Sequence, residues 1–341
     1  MSVTRDDVAR LAGVSAATVS YVVNNGPRPV SEDTRHKVLQ AIDLLGYQPS
    51  AVARSLKTKK TTTIGVIVSD ILNPFLSAVA KAIEDAILPR NYSMILCNSD
   101  EDPEREYLFL NMLLAKQVDG IILLPTCENK RFLFSLVEQR RIPIVLLDRQ
   151  IEGLNVDCLL FDNFSGAYQA TQHLIQQGHR RIAFFSLPRR LTPGHERAQG
   201  YDQALREAGL SFDPSLVVEG GFKAQEADDL AKKIFELPDP PTALMVSSNR
   251  LLTGVLRYAK EHKLCIPDNF ALAVFDDIPH YAYFTPSITA VRVDADGFGR
   301  MAASLLEEQI HGAGFRSPRI IRFPVELVVR ESSTQLLINC T

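Results

Sequence analysis

Short apolar runs in this chain repeatedly end in polar residues suited to binding. Asp70 and Asn73-Pro74-Phe75 follow one run, Asn98-Ser99-Asp100 a second, and Asp148-Arg149 and Asp162-Asn163 two more. Further on, Gly221-Phe222, Ser247-Ser248-Asn249-Arg250 and Asp276-Asp277 hold the same kind of place. Carboxylates and guanidinium groups make paired hydrogen bonds to hydroxyls, and an aromatic face covers the apolar side of a ring. Together the set suits a polyhydroxylated or heterocyclic small molecule. Each residue alone has a plainer use, because Asp and Asn after a strand cap the following helix. Catalytic signatures are missing: the chain has no GxSxG, HExxH, Walker A, GxGxxG or SxxK, and its seven histidines lie apart. The expectation is a binding protein, not an enzyme, with no cofactor and no metal.

These residues need elements to position them. From Thr63 onward, short apolar strands such as Thr63–Ser69, Ile144–Leu147, Ile182–Ser186 and Ala271–Phe275 alternate with amphipathic helices. Examples are Phe75–Leu88, Glu104–Ala115, Tyr168–Gln177, Glu196–Ala208 and Leu251–His262. Such βαβα alternation predicts parallel sheets covered by helices on both faces, and ligands sit outside the carboxyl ends of their strands. About ten strands are too many for one ordinary open sheet, so two sheets are expected, with chain crossings near 161, 290 and 322. The last apolar run, Ile320–Val329, reads as one strand.

Residues 1–48 differ, with spacing that predicts three short helices: Arg5–Ala12, Ala16–Asn24 and Glu32–Leu45. Ser15 and Ser31 stand as N-caps of the second and third, and Gly46 stops the third. Val8, Val14, Val19 and Val22 are spaced for a miniature core, and Ala9 and Gly13 are small where two helices would cross closely. Residues 1–60 hold nine Lys/Arg against five Asp/Glu, and the remainder 28 against 35. A basic head on an acidic body fits a nucleic-acid-binding module. The start of the chain has no apolar signal-peptide core, and no apolar run approaches the ~20 residues of a membrane helix. Five cysteines at wide spacing suit a reducing compartment. A cytoplasmic protein with no membrane partner is expected.

Two stretches, "VTRDDVARLAGVSAATVSYVVNN" and "VSEDTRHKVLQAIDLLGYQPSAVARSLKT", resemble the head and hinge of LacI/GalR-family transcriptional regulators. In the body, "TIGVIVSDILNPF", "VDGIILLP", "PIVLLDR" and "FDDIPHYAYFTPSITAVRVD" carry the same resemblance. It implies an all-α helix-turn-helix head on an α/β periplasmic-binding-protein-like body of two Rossmann-like subdomains. The expected division is a DNA-binding domain at 1–48, a hinge helix and linker at 49–62, an effector-binding and dimerisation domain at 63–332, and a tail at 333–341. Within the body, 63–160 plus 291–321 form one subdomain and 163–288 plus 323–332 the other.

By the same resemblance, Ser15, Thr18, Ser20, Ser31 and Thr34 contact phosphates, while Ala16, Ala17 and Tyr21 read bases. Alanine methyls can pack on thymine methyls, and Tyr21 offers a hydroxyl. Thr4, Asn24 and Ala53 complete the DNA-facing set, and Leu56 matches a leucine that wedges into the minor groove. The implied partners are a near-palindromic double-stranded operator, a second copy of the chain and a small-molecule effector. Phe75, Asp148, Arg197, Phe222 and Asp276 match positions lining the effector cleft. Ser248-Asn249 stand where the family often carries Asn-Asp, which removes a charge. A repressor controlled by a sugar or sugar derivative is expected. Because Arg149 and Arg250 add positive potential, a phosphorylated metabolite is an alternative effector, as is a nucleobase or nucleoside acting as co-repressor. A solute-binding module without DNA function is the alternative from another class.

Overall fold

The computed structural model describes residues 3–23, 29–48, 60–221, 224–312 and 317–334. The chain forms two compact units, Met1–Thr61 and Thr62–Thr341.

In the first unit, α1 (Arg5–Ala12), α2 (Ala16–Val23) and α3 (Glu32–Leu45) enclose a core of Val8, Ala9, Val19, Val22, Val38 and Ala41. Each helix starts on a hydroxyl. Thr4 forms a reciprocal box with Asp7, whose backbone N–H donates to Thr4 Oγ1 at 3.3 Å while Thr4 N–H donates back to Asp7 Oδ2 at 2.9 Å. Ser15 Oγ accepts from Thr18 N at 3.1 Å, and Ser31 Oγ from Thr34 N at 3.4 Å. Gly13 serves a different end from the one its size suggested. A Cβ there would meet nothing within 4 Å, but its φ of +69° closes α1 in the left-handed conformation that glycine adopts without strain.

The second unit holds two six-stranded sheets. The first is ordered β11-β5-β4-β3-β1-β2 and the second β12-β10-β9-β8-β6-β7. Strands β1 to β5 are Thr63–Val68, Ser93–Asn98, Gly120–Leu123, Ile144–Leu147 and Asp157–Phe161. Strands β6 to β10 are Ile182–Ser186, Val217–Glu219, Ala243–Val246, Ala271–Phe275 and Thr289–Val293. The second five repeat the order of the first five, so β9 is the counterpart of β4. The central strands are buried on both faces, which is why they read as unbroken apolar runs.

Helices α4 (Pro74–Ile87) and α11 (Ala295–His311) pack together on the first sheet, and α7 (Asn163–Gln176) and α8 (Thr192–Glu207) on the second. One continuous core joins these two layers, from Phe75, Phe161 and Phe298 to Phe184, Tyr201 and Phe275. Separate cores under α5 (Pro103–Ala115) and α6 (Lys130–Phe134), and under α9 (Ala224–Phe235) and α10 (Asn249–Glu261), fill the outer faces. Gly299 lets α11 approach α4 closely, since a Cβ there would sit 2.6 Å from that of Ala82.

The chain passes between the sheets at 161–163, 293–295 and 323–325. The second passage lies a few residues beyond the expected 290, because β10 runs to Val293. Ile320–Val329 is two strands, not one. Ile320–Phe323 (β11) pairs parallel with β5, and Val325–Val328 (β12) pairs antiparallel with β10. Pro324, which has no N–H to give a ladder, stands at the break. The expected tail boundary at 333 also shifts. Ser332 and Ser333 are fully buried, Ser333 Oγ lies 2.8 Å from His173 Nε2 and 2.6 Å from Thr289 Oγ1, and Ser332 Oγ donates to Leu272 O at 2.7 Å.

Candidate functional site

The strand ends of the two sheets meet in a cleft of about 510 Å³, its open mouth included. The structure sorts the polar strand-end residues into two groups. Asn73, Asp102, Asp162, Ser248 and Asp294 cap α4, α5, α7, α10 and α11, the plainer role open to them. Asp148 and Asp276 are not the N-caps of the helices after their strands, although Asp276 accepts from the backbone N–H of Asn249 at the start of α10. They follow the counterpart strands β4 and β9 with φ of +59° and +74°, a region Asp enters at modest cost, and this turns both carboxylates into the cleft.

Arg197 lies between them on α8 and is 2% exposed. Its Nε donates to Asn163 Oδ1 at 2.8 Å, and a terminal nitrogen donates to the Ser247 carbonyl. The other terminal nitrogen is 3.9 Å from Asp276 Oδ1, and the guanidinium stacks 3.5 Å above the Phe275 ring. Burial pushes Asp276 up to about 6, assisted by Asp148 and opposed by Arg197. Burial likewise raises Asp148, against the pull of Arg197 and Arg149. Burial lowers Arg197, but an arginine stays protonated in this setting.

Of the eight residues expected at the effector site, Phe75, Asp148, Arg149, Arg197, Ser248, Asn249 and Asp276 line this one cleft. Phe222 lies outside the described residues. Phe75 meets Phe161 edge-on at 5.4 Å and forms part of the apolar floor. Asn249 reaches across the cleft, donating from Nδ2 to Asn73 Oδ1 at 2.8 Å. Arg250 pairs with Asp70 through Nε at 2.6 Å. The positive potential expected from Arg149 and Arg250 is therefore cancelled. Arg149 makes a two-pronged pair with Glu101, at 2.6 and 2.8 Å. Glu101 was missed by sequence reasoning, as were the pairing of Asn73 with Asn249 and Asn163 as the partner of Arg197. Their partners are 34 to 176 residues away in sequence.

In the head, Thr4, Ser15 and Ser31 sit exposed at three helix N-termini, with Thr18 and Thr34 half-buried one turn on. Ser15 Oγ is 2.9 Å from Thr18 Oγ1, and Ser31 Oγ 2.8 Å from Thr34 Oγ1. Thr4 Oγ1 gives its proton to Asp7 Oδ2 at 2.6 Å, but in each Ser–Thr pair one of the two hydroxyl protons is left to donate, and free N–H groups at a helix start favour an anion. Ala17 is exposed, whereas Ala16 is half-buried and packs on the small core. Ser20 and Tyr21 are half-buried. Asn24, Ala53 and Leu56 lie outside the described residues. Ser15→Ala is expected to cost the head about 1 kcal/mol, read as a lowered melting temperature of the head by circular dichroism. Ser15→Asp should keep the cap and the stability, which would separate capping from any contact with DNA.

Residues 4–50 match the model of the bacterial regulatory proteins of the lacI family, and residues 171–333 match a periplasmic binding protein-like domain. The chain is 37% identical over 313 residues to the probable HTH-type transcriptional regulator EndR of Paenibacillus polymyxa, covering 91% of each chain. It is 34% identical over 329 residues to the HTH-type transcriptional repressor PurR of Histophilus somni strain 2336, covering 96% of this chain and 98% of that one. The chain belongs to the lacI family of bacterial regulatory proteins. Among solved structures, it matches the lac repressor dimer bound to operator and the anti-inducer ONPF with a TM-score of 0.85 and 25% identity, covering 98% of this chain and all of that one. The complex of the transcriptional regulator CelR with cellobiose matches with a TM-score of 0.71 and 31% identity, covering 97% and 99%. This lacI-family protein is thus a DNA-binding transcriptional regulator and not an enzyme. No helix among its described residues is long and apolar enough to cross a membrane.

Proposed function

We propose that this regulator is a cytoplasmic, homodimeric repressor whose grip on a near-palindromic operator is set by a neutral, hydroxyl-rich small molecule, a sugar or sugar derivative, bound between the two subdomains of its body. The observation that carries the effector reading is the convergence of Asp148, Arg197 and Asp276, drawn from both sheets, in one cleft. Acceptors flank a donor there, above an aromatic floor, which is how a sugar ring is held. The cellobiose complex of the related CelR supports the same class. A module that binds solutes without DNA is disfavoured by the match of residues 4–50 to the lacI head.

The mechanism follows from how differential binding acts. An effector that prefers one arrangement of the two subdomains shifts the population toward it by its difference in affinity, about 1–3 kcal/mol in typical allosteric proteins. That arrangement sets the spacing of the two hinges, residues 49–62 of each copy. Ser15, Thr18, Ser31 and Thr34, with Thr4, Ser20 and Asn24, hold the phosphates, Ala17 and Tyr21 read bases with Ala16 behind them, and Ala53 and Leu56 act at the hinge. Leu56 contributes through DNA deformation, where unstacking one step costs a few kcal/mol and is returned by a bent, better-wrapped site. Fluorescence anisotropy on DNA from upstream of the protein's own gene tests this. Leu56→Ala should weaken operator binding by at least about tenfold, a loss of roughly 1.4 kcal/mol. Equal affinity at matched salt would overturn the hinge reading. A thermal-shift screen of sugars and nucleobases tests the effector class.

A further inference from the structure

Each of the three arginines lining the cleft already holds a carboxylate. Arg149, 3% exposed, is gripped by Glu101 at 2.6 and 2.8 Å and also donates to Pro125 O at 2.9 Å. Arg250 pairs with Asp70, whose other oxygen accepts from Leu72 N at 2.9 Å. Arg197 has Asp276 3.9 Å away. The lining therefore contains four carboxylates, at 70, 101, 148 and 276, against three guanidinium groups. The carboxylate left over is Asp148. Its Oδ1 is shielded from solvent and has no hydrogen-bond partner among the described residues.

We propose that Glu101 and Asp70 are specificity-determining residues of the cleft: by neutralising Arg149 and Arg250 they exclude anionic ligands, phosphate esters included, and leave Asp148 to accept a hydrogen bond from a neutral ligand. This deepens, and rests on, the reading of the cleft as the effector site. A phosphate ester carries between one and two negative charges near neutrality. In this cleft it would face Asp148 and Asp276 across a poorly solvated gap, and it would have to compete with the carboxylate that each guanidinium already holds. Uncompensated charge in such a place is strongly disfavoured. A hydroxyl brings a donor for the Asp148 carboxylate and no charge.

The wild-type full-length protein, in thermal shift with matched pairs, gives the first test. Glucose against glucose 6-phosphate and ribose against ribose 5-phosphate are suitable pairs. A phosphate ester that stabilises more than its parent sugar would overturn the proposal. The second test uses inorganic phosphate and calorimetry. The double variant Glu101→Gln/Asp70→Asn uncovers both arginines and should bind phosphate at least about tenfold more tightly than wild type. That gain should vanish when Arg149→Gln and Arg250→Gln are added. Phosphate held by the DNA-binding head is common to all these proteins and cancels in the comparison. A double variant with an unchanged circular dichroism spectrum and no gain would sink the idea, as would wild-type phosphate binding that Arg149→Gln weakens. If the variant gains phosphate but wild type responds to no sugar, the exclusion stands and the effector reading fails.

Discussion

Replacing Arg197 with alanine is expected to lower the unfolding free energy of the body by about 3–5 kcal/mol, the range for removing one partner of a buried ion pair. Asn163 Oδ1 and the Ser247 carbonyl lose their donor, Asp276 loses its nearest counter-charge, and the Phe275 face is uncovered. Urea unfolding of the full-length chain followed by far-ultraviolet circular dichroism measures the loss. Arg197→Lys should fall between the two, because lysine restores charge but not the planar fork that serves several partners at once. A loss below about 1 kcal/mol for Arg197→Ala, typical of an ordinary substitution, would show that the cleft relaxes around the missing group. Under the proposed function, Arg197→Lys should also fail to respond to the effector, though it still binds operator.

The second large effect is a dependence of stability on pH. Asp276 binds its proton with a folded pKa of about 6, above the ordinary 3.8. The folded state thus holds this proton more tightly than the unfolded chain does. The resulting stabilisation is fully present below about pH 4 and is lost as the pH rises through about 6. It amounts to at most about 3 kcal/mol, since one pKa unit corresponds to roughly 1.4 kcal/mol. Asp276→Asn removes the titration and keeps the shape. The wild type should therefore lose up to this amount relative to the variant between pH 4 and pH 7. A stability difference that stays flat over that range would contradict the assignment.

The outline of the fold was legible because its main determinants are local. Parallel strands buried on both faces leave apolar runs such as Ile144–Leu147, and Ser15 and Ser31 mark helix starts by their hydroxyls. The exceptions were set by backbone and tertiary detail. Gly13 is needed for the sign of one dihedral, not for its size, and Pro324 divides what composition alone presents as a single strand. Helices α7 and α8 begin four to five residues before their expected starts at Tyr168 and Glu196, so Asn163 lies in a helix. In the cleft, residue types were informative but pairings were not. Asp70, Asp148 and Asp162 look alike after their strands. One pairs with an arginine 180 residues away, one turns through a positive φ, and one caps a helix. Likewise, Arg149 and Arg250 read as free positive charge until their partners at 101 and 70 came into contact.

The strands β11 and β12 lie at the outer edges of different sheets, yet both come from residues 320–328, near the end of the chain. During synthesis, neither half of the body is complete until those residues have left the ribosome. Until then β5 and β10 each present an unpaired edge, the kind of template on which chains associate wrongly. The two halves must therefore finish together, so a chain terminated shortly before residue 320 is incomplete in both halves at once.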